Sequence, residues 1–301
     1  MPEIKVNDER FRSLVDPHAP LRRLFGGTVW AEGPCYIADT RVVVWSDIPN
    51  NRMMRWVEGL GSDVFRSPSN FSNGNTRDRE GRLVTCEHGT RRVARTEHDG
   101  SITVIADRYS GKRFNSPNDV VVKSDGSIWF TDPDYGILSD FEGYKSPSEI
   151  GRNNVYRVDP VSGTVSIVCD DFDKPNGIAF SPDEKRLYVA DTGASHREGG
   201  NHHIRVFEVA SSGKLSDGRV FAEIDPGLAD GFRLDVQGNL WTSAGDGIHC
   251  FNSEGALLGK ILVPEVVANL TFGGPDRKSI FIAASTSLYL VKVSVQGAQR
   301  P

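Results

Sequence analysis

Apolar residues in this chain fall in short runs, four to six long, separated by clusters of Asp, Gly, Asn and Pro. The runs are rich in β-branched and aromatic side chains, which is a strand pattern. No segment sustains the 3.6-residue period of a long helix; the one helix expected is a short one near residues 7–15. A turn followed by an apolar strand recurs along the chain. It reads ADTRVVVWSDI at 38–48, DREGRLVTCEH at 78–88, SDGSIWFTDP at 124–133, SPDEKRLYVADT at 181–192, VQGNLWTSAGD at 236–246 and GPDRKSIFIAAS at 274–285. The strands begin near Val43, Leu83, Ile128, Leu187, Leu240 and Ile280, in steps of 40, 45, 59, 53 and 40 residues. Six units of that length, each with room for four short strands, predict an all-β fold, a six-bladed β-propeller. The whole chain, 1–301, reads as one such domain, with residues 1–20 an N-terminal extension packing on it. The two longest steps predict polar surface insertions at 134–153 and 192–203.

A second element precedes each strand copy: AEGPCYI at 31–37, SNGNTRD at 72–78, PNDVVV at 117–122, PNGIAF at 175–180, ADGFRLD at 229–235 and ANLTFGG at 268–274. Aligning these stacks Glu32, Asn73, Asn118, Asn176, Asp230 and Asn269, each 10 or 11 residues before its strand. If the element is the innermost strand of a blade, the six positions ring the central channel at one end. Asn and acids are poor strand residues, so their recurrence here asks for a reason. At Asn73-Gly74 and at Asn269 turn chemistry competes with a functional role. At Glu32, Asn118, Asn176 and Asp230, four oxygen-bearing side chains converge on a narrow channel, where two carboxylates repel unless a cation separates them.

Two carboxylates and two amide carbonyls are hard oxygen donors. They predict one divalent metal ion, Ca²⁺ first, with Mg²⁺, Mn²⁺ or Zn²⁺ as alternatives. Four protein ligands leave coordination positions open for water and substrate. The rest of the sequence narrows the field. A formal net charge of −5 offers no basic stripe for nucleic acid. No apolar run approaches the length of a membrane helix and the N-terminus has no signal-peptide core, so no membrane partner and a cytoplasmic location are expected. Cys35, Cys86, Cys169 and Cys250 stand singly and read as free thiols. There is no G-x-S-x-G elbow, Walker A loop or H-E-x-x-H pair.

The phrases AEGP, SPNDVVV, KPNGIAFSPD and ADGFRLD together resemble the senescence marker protein/gluconolactonase family, also called regucalcin-like. NGNTRDREGRLVTCEHGTRRVART and TDPDYG resemble its bacterial gluconolactonase branch in particular, and the likeness runs over about residues 20–290. The resemblance implies a six-bladed propeller and a divalent-metal-dependent hydrolase, often a sugar lactonase. It also implies Glu32, Asn176 and Asp230 as metal ligands and Asn118 as a ligand or substrate contact. One departure stands out: animal members carry an arginine two residues before that asparagine, and here Ser116 stands there, which leaves Arg113 or the loops to hold the sugar.

Loops after each second strand should share the face of the inner-strand starts. They offer Glu87, His88, Asp132, Asp134, Tyr135, Asp191, Ser195, His196 and Asp246 as pocket walls. Of the whole set, Asn73, His88, Asp132, Tyr135 and Asn269 are the expected substrate contacts. Asp230 and Asn118 are the expected catalytic residues, Asp230 as the base for water. The reading is a metal-dependent lactonase opening a small-molecule sugar lactone to the aldonic acid. A metal-dependent phosphotriester hydrolase and a non-catalytic small-molecule- or peptide-binding propeller are the alternatives.

Overall fold

A computed structural model describes residues 2–299. Six antiparallel sheets of four strands or more run in chain order around a common axis. Blade 1 comprises Ala31–Ile37, Val42–Asp47, Arg52–Val57 and Gly61–Arg66, from the channel outwards. The inner strands of blades 2 to 6 are Ser72–Arg77, Val120–Val122, Pro175–Phe180, Phe232–Leu234 and Val267–Gly273. The arrangement is the expected six-bladed propeller.

Each blade is made by hairpins whose turns are written in the sequence. Between the inner and second strands of blade 5, the Gly238 N–H donates to the Asp235 carbonyl at 3.0 Å, with Gly238 at φ +82°. The Asp235 carboxylate accepts from the Asn239 N–H (3.0 Å) and from the buried Trp241 indole (2.9 Å). One side chain thus closes the turn and satisfies a core tryptophan. Second strands are buried along their length, whereas the outermost strands Gly61–Arg66 and Ile102–Ala106 are largely exposed. Apolar cores lie between neighbouring blades: Val43 and Trp45 of blade 1 pack with Phe281 and Leu288 of blade 6.

Three features escaped the repeat pattern. Arg22–Gly26 forms the outer strand of blade 6, paired with Ser287–Lys292, so the two chain ends close the ring. Ile4–Val6 adds a fifth strand to blade 5 against Leu257–Leu262, and the helix expected near 7–15 is a single 3₁₀ turn, Glu9–Ser13, that buries Phe11 against Trp241. A four-residue helix, Tyr135–Leu138, opens the first insertion. Cys35, Cys86 and Cys250 are buried free thiols and Cys169 is half-buried. No helix among the described residues is long and apolar enough to cross a membrane.

Candidate functional site

The inner strands meet closely at the upper end of the channel. Gly33, Gly74, Gly177 and Gly231 each follow a ring residue, and a Cβ at any of them would lie 2.0–2.5 Å from an atom of the next blade's ring residue. There the Gly74 N–H donates to the Asn118 carbonyl (2.7 Å) and the Gly177 N–H to the Asp230 carbonyl (2.8 Å). The Asn73-Gly74 and Asn176-Gly177 pairs in strands, and Asp230-Gly231 just before one, are therefore packing devices between blades rather than turns.

A cavity of about 340 Å³ opens above this ring, with Glu32, Asn73, Asn118, Asn176 and Asp230 lining it. Hydrogen bonds aim several of these groups. Glu32 Oε2 accepts from the Gly33 N–H (2.7 Å) and from Asn269 Nδ2 (3.0 Å), while its buried Oε1 has no partner among the described residues. Asn176 Nδ2 donates to Thr192 Oγ1 at 3.3 Å, leaving its carbonyl oxygen for the cavity. Burial pushes the Glu32 carboxyl up to about 7, against the two bonds that favour its charge. Asp230 is raised well above the usual carboxylate range, by desolvation first and then by the Glu32 charge beside it.

His88 does not reach the cavity; it is fully buried behind Asn73, which corrects the expectation of a substrate contact. Its Nδ1 lies 3.0 Å from the Glu142 carbonyl, an acceptor only, so Nδ1 carries the proton. Burial holds the ring's pKa down at about 4, so the imidazole is neutral and Nε2 must accept from Asn73 Nδ2 at 3.2 Å. This orients the Asn73 amide, whose buried Oδ1 has no partner among the described residues. His88 thus acts through Asn73. Asn269 is likewise not a wall residue: it is buried, it holds Glu32, and its Oδ1 accepts from the Leu270 N–H at 2.8 Å. Asp132 is corrected too. It lies buried beneath the first insertion, accepting from the Asn115 N–H at 2.9 Å.

Tyr135 does line the cavity, with Ser195, His196 and Thr192 from the second insertion. The Tyr135 hydroxyl lies 2.7 Å from both Thr192 Oγ1 and Ser195 Oγ, and Lys174 sits under its ring. Glu87, Asp134, Asp191 and Asp246 are engaged in loop and ion-pair contacts away from the cavity wall. Ser116 ties Gly136 N–H (2.9 Å) to the Pro133 carbonyl (2.6 Å), so it is part of the loop's scaffold, and Arg113 bonds the Thr90 carbonyl instead of the cavity. The walls that sequence reasoning missed include Trp30, Ile48, Leu138, Phe141, Glu142 and Leu228. They lie in loops, strand ends and the short helix Tyr135–Leu138, outside the repeat's register.

Residues 30–286 match the SMP-30/Gluconolactonase/LRE-like region family. The chain belongs to that family. Among curated relatives, the gluconolactonase of Zymomonas mobilis is 30% identical over 312 residues, covering 96% of this chain and 85% of that protein. A solved gluconolactonase from Xanthomonas campestris superposes with a TM-score of 0.90 at 38% identity, over 96% of this chain and 94% of that one. The calcium-binding protein regucalcin of Agrobacterium tumefaciens shares the fold at 18% identity, with a TM-score of 0.77 over 94% of this chain and 97% of that one.

Proposed function

We propose that this chain hydrolyses a sugar lactone with the help of one divalent cation held at the upper mouth of the channel. The observation that carries the reading is the convergence of Glu32 and Asp230 with the amides of Asn118, Asn176 and Asn73 in one buried well. No three His, Cys, Asp or Glu side chains converge among the described residues, so the donor set is two carboxylates completed by amides. The fit to a hard cation is specific: Glu32 Oε1 is buried without a partner among the described residues, burial raises the Glu32 carboxyl, and the Glu32 charge adds to the burial that raises Asp230, so positive charge relieves both. Glu32, Asn118, Asn176 and Asp230 would hold the ion, Ca²⁺ in the first instance. When bound, such an ion supplies Lewis-acid polarisation of a carbonyl oxygen.

The protein's own groups do the rest. Asp230, anchored through its N–H to Ser243 Oγ at 2.8 Å, takes the proton of the attacking water. Asn73 and Asn118 present amide groups to the lactone and its hydroxyls. The Tyr135, Thr192 and Ser195 hydroxyls form a polar surface suited to a polyol, and Trp30, Leu138 and Phe141 add apolar surface to the same cavity. That hydroxyl wall stands in for the arginine that Ser116 replaces. Likeness to gluconolactonases across nearly the full chain supports the substrate class.

The test is acid release from glucono-δ-lactone after chelation, with Ca²⁺, Mg²⁺, Mn²⁺ or Zn²⁺ titrated back and a phosphotriester as comparator. Chelation should abolish turnover of the lactone and one of the ions should restore it. Glu32→Gln should recover at high metal concentration, because mass action refills a weakened site. Asp230→Asn should retain a deficit of roughly 10²–10⁴ at saturating metal, because an amide cannot accept the proton. Turnover indifferent to chelation would overturn the metal assignment, and full recovery of Asp230→Asn would remove Asp230 as the base.

A further inference from the structure

The opposite, lower mouth of the channel carries chemistry that lactone hydrolysis does not use. Here the turns between inner and second strands come together, and the chain's last described residues cross over them. The Gly297 N–H donates to the Arg277 carbonyl (2.9 Å), the Ala298 N–H to the Leu234 carbonyl (2.9 Å), and Gln299 Nε2 to Thr76 Oγ1 (3.1 Å). Beside this crossing is a cavity of about 570 Å³, larger than the one above the ring. Its lining includes Arg41, Arg77 and Arg277 and no acidic side chain.

The turn geometry makes these arginines notable. Each blade's inner turn has a left-handed position. Glycine fills it at Gly81, Gly126 and Gly238 (φ +82° to +84°), as its steric freedom favours. In adjacent blades 1 and 6 the same position is Arg41 (φ +56°) and Arg277 (φ +54°). A non-glycine residue there is conformationally costly, and such costs concentrate at functional sites. Glu184 holds the position in blade 4, but its carboxylate is taken by Arg79 (3.0 Å), Lys123 (3.2 Å) and Ser124. Arg41 and Arg277 have no comparable use: neither guanidinium has a carboxylate within ion-pair distance among the described residues. Behind them Arg77 is 93% buried, with Nε on the Gly81 carbonyl (3.2 Å), one amino group on exposed Asp39, and Nη1 without a partner among the described residues.

We propose that this lower cavity binds a small organic oxyanion, its phosphate or carboxylate head held between Arg41 and Arg277 in the field of Arg77. Planar guanidinium forks suit either head group. Tyr36, Phe272 and Pro275 on the same wall give the body of the ligand an apolar surface to lie on. The site lies at the far end of the channel from Glu32 and Asp230, so its occupancy is independent of the lactonase reading.

Isothermal titration with phenyl phosphate and, separately, with benzoate tests the proposal and tells the two head groups apart. At least one should bind saturably with one-to-one stoichiometry and weaken as salt is added. Arg41→Gln and Arg277→Gln should each weaken it about tenfold, the effect of losing one charge-assisted hydrogen bond. Both sit at the rim of the cavity, so lactone turnover should be unchanged. Asp230→Asn, at the other mouth, should bind the probe as the parent does. Failure of both probes to saturate, undiminished binding in the two arginine variants, or loss of binding in Asp230→Asn would each overturn the proposal.

Discussion

At the scale of single residues, the site is organised by groups that never touch the cavity. His88 takes the donor end of the Asn73 amide and Asn269 takes one oxygen of the Glu32 carboxylate, and so they decide which atom is left for the cavity. Asp132 belongs to this hidden layer, and its burial makes a measurable statement. Desolvation pushes its carboxyl up to about 8, outweighing the backbone N–H bonds from Asn115 and Ser116. In the unfolded chain the group ionises near its ordinary value of 3.8. Between those limits the folded state keeps a proton that the unfolded state has released, so stability falls as pH rises through the window, by up to about 1.4 kcal/mol per pH unit. Asp132→Asn carries no such proton. Denaturant unfolding at pH 5 and pH 8 should find the variant gaining on the parent by about 2 kcal/mol or more at the higher pH. A gap that does not change with pH would mean that Asp132 is ionised in the fold. The ring residues were legible in the sequence because they recur in register. The hidden layer was only half legible: His88, Asp132 and Asn269 could be found, but nothing in their spacing says whether a side chain faces a cavity or braces a neighbour.

At the scale of elements, the strands were legible almost to the residue. The repeat placed second strands near Val43, Leu83, Ile128, Leu187, Leu240 and Ile280, and they begin at Val42, Leu83, Ile128, Arg186, Leu240 and Ser279. Insertions have no such register, which is why Glu142 and Phe141 went unnoticed. The first insertion is tethered rather than loose. The Tyr144 ring packs edge-on to Phe71 at 5.2 Å, its N–H donates to the Gly136 carbonyl (3.1 Å), and His88 holds the Glu142 carbonyl. These tethers hold Leu138 and Phe141 at the cavity mouth, with Phe141 still 56% exposed. An aromatic left that exposed contributes little to folding and much to a ligand that covers it. Phe141→Ala should therefore raise KM for a lactone roughly three- to tenfold, the scale of one apolar contact. It should leave kcat within about twofold and the melting temperature within a few degrees. Steady-state kinetics together with a thermal melt decide the matter, and a large fall in kcat with KM unchanged would count against a role in binding.

At the scale of the whole molecule, the ring closes by joining chain ends that no local pattern links. Arg22–Gly26 pairs with Ser287–Lys292, with Phe25 opposite Leu288 and Arg22 opposite Leu290. No turn signal connects them, and the repeat counts blades from their inner strands, so an outer strand borrowed from the other end of the sequence leaves no trace in it. The consequence is unequal dependence on two neighbouring N-terminal segments. Ile4–Val6 only widens blade 5, an addition at an edge. Arg22–Gly26 completes blade 6, whose apolar residues pack with blade 1 on one side and blade 5 on the other. Without it, the edge strand Ser287–Lys292 loses its ladder and exposes an apolar row that would pair with other chains. Deleting residues 2–8 should lower the melting temperature by a few degrees and preserve a single cooperative transition. Deleting residues 2–26 should abolish that transition and promote aggregation, because closure is what makes six blades one cooperative unit and a fixed ring of polar side chains. Calorimetry on both variants separates the cases. A cooperative melt of the longer deletion within about five degrees of the shorter one would show that the blades hold the ring without the strand that joins its ends.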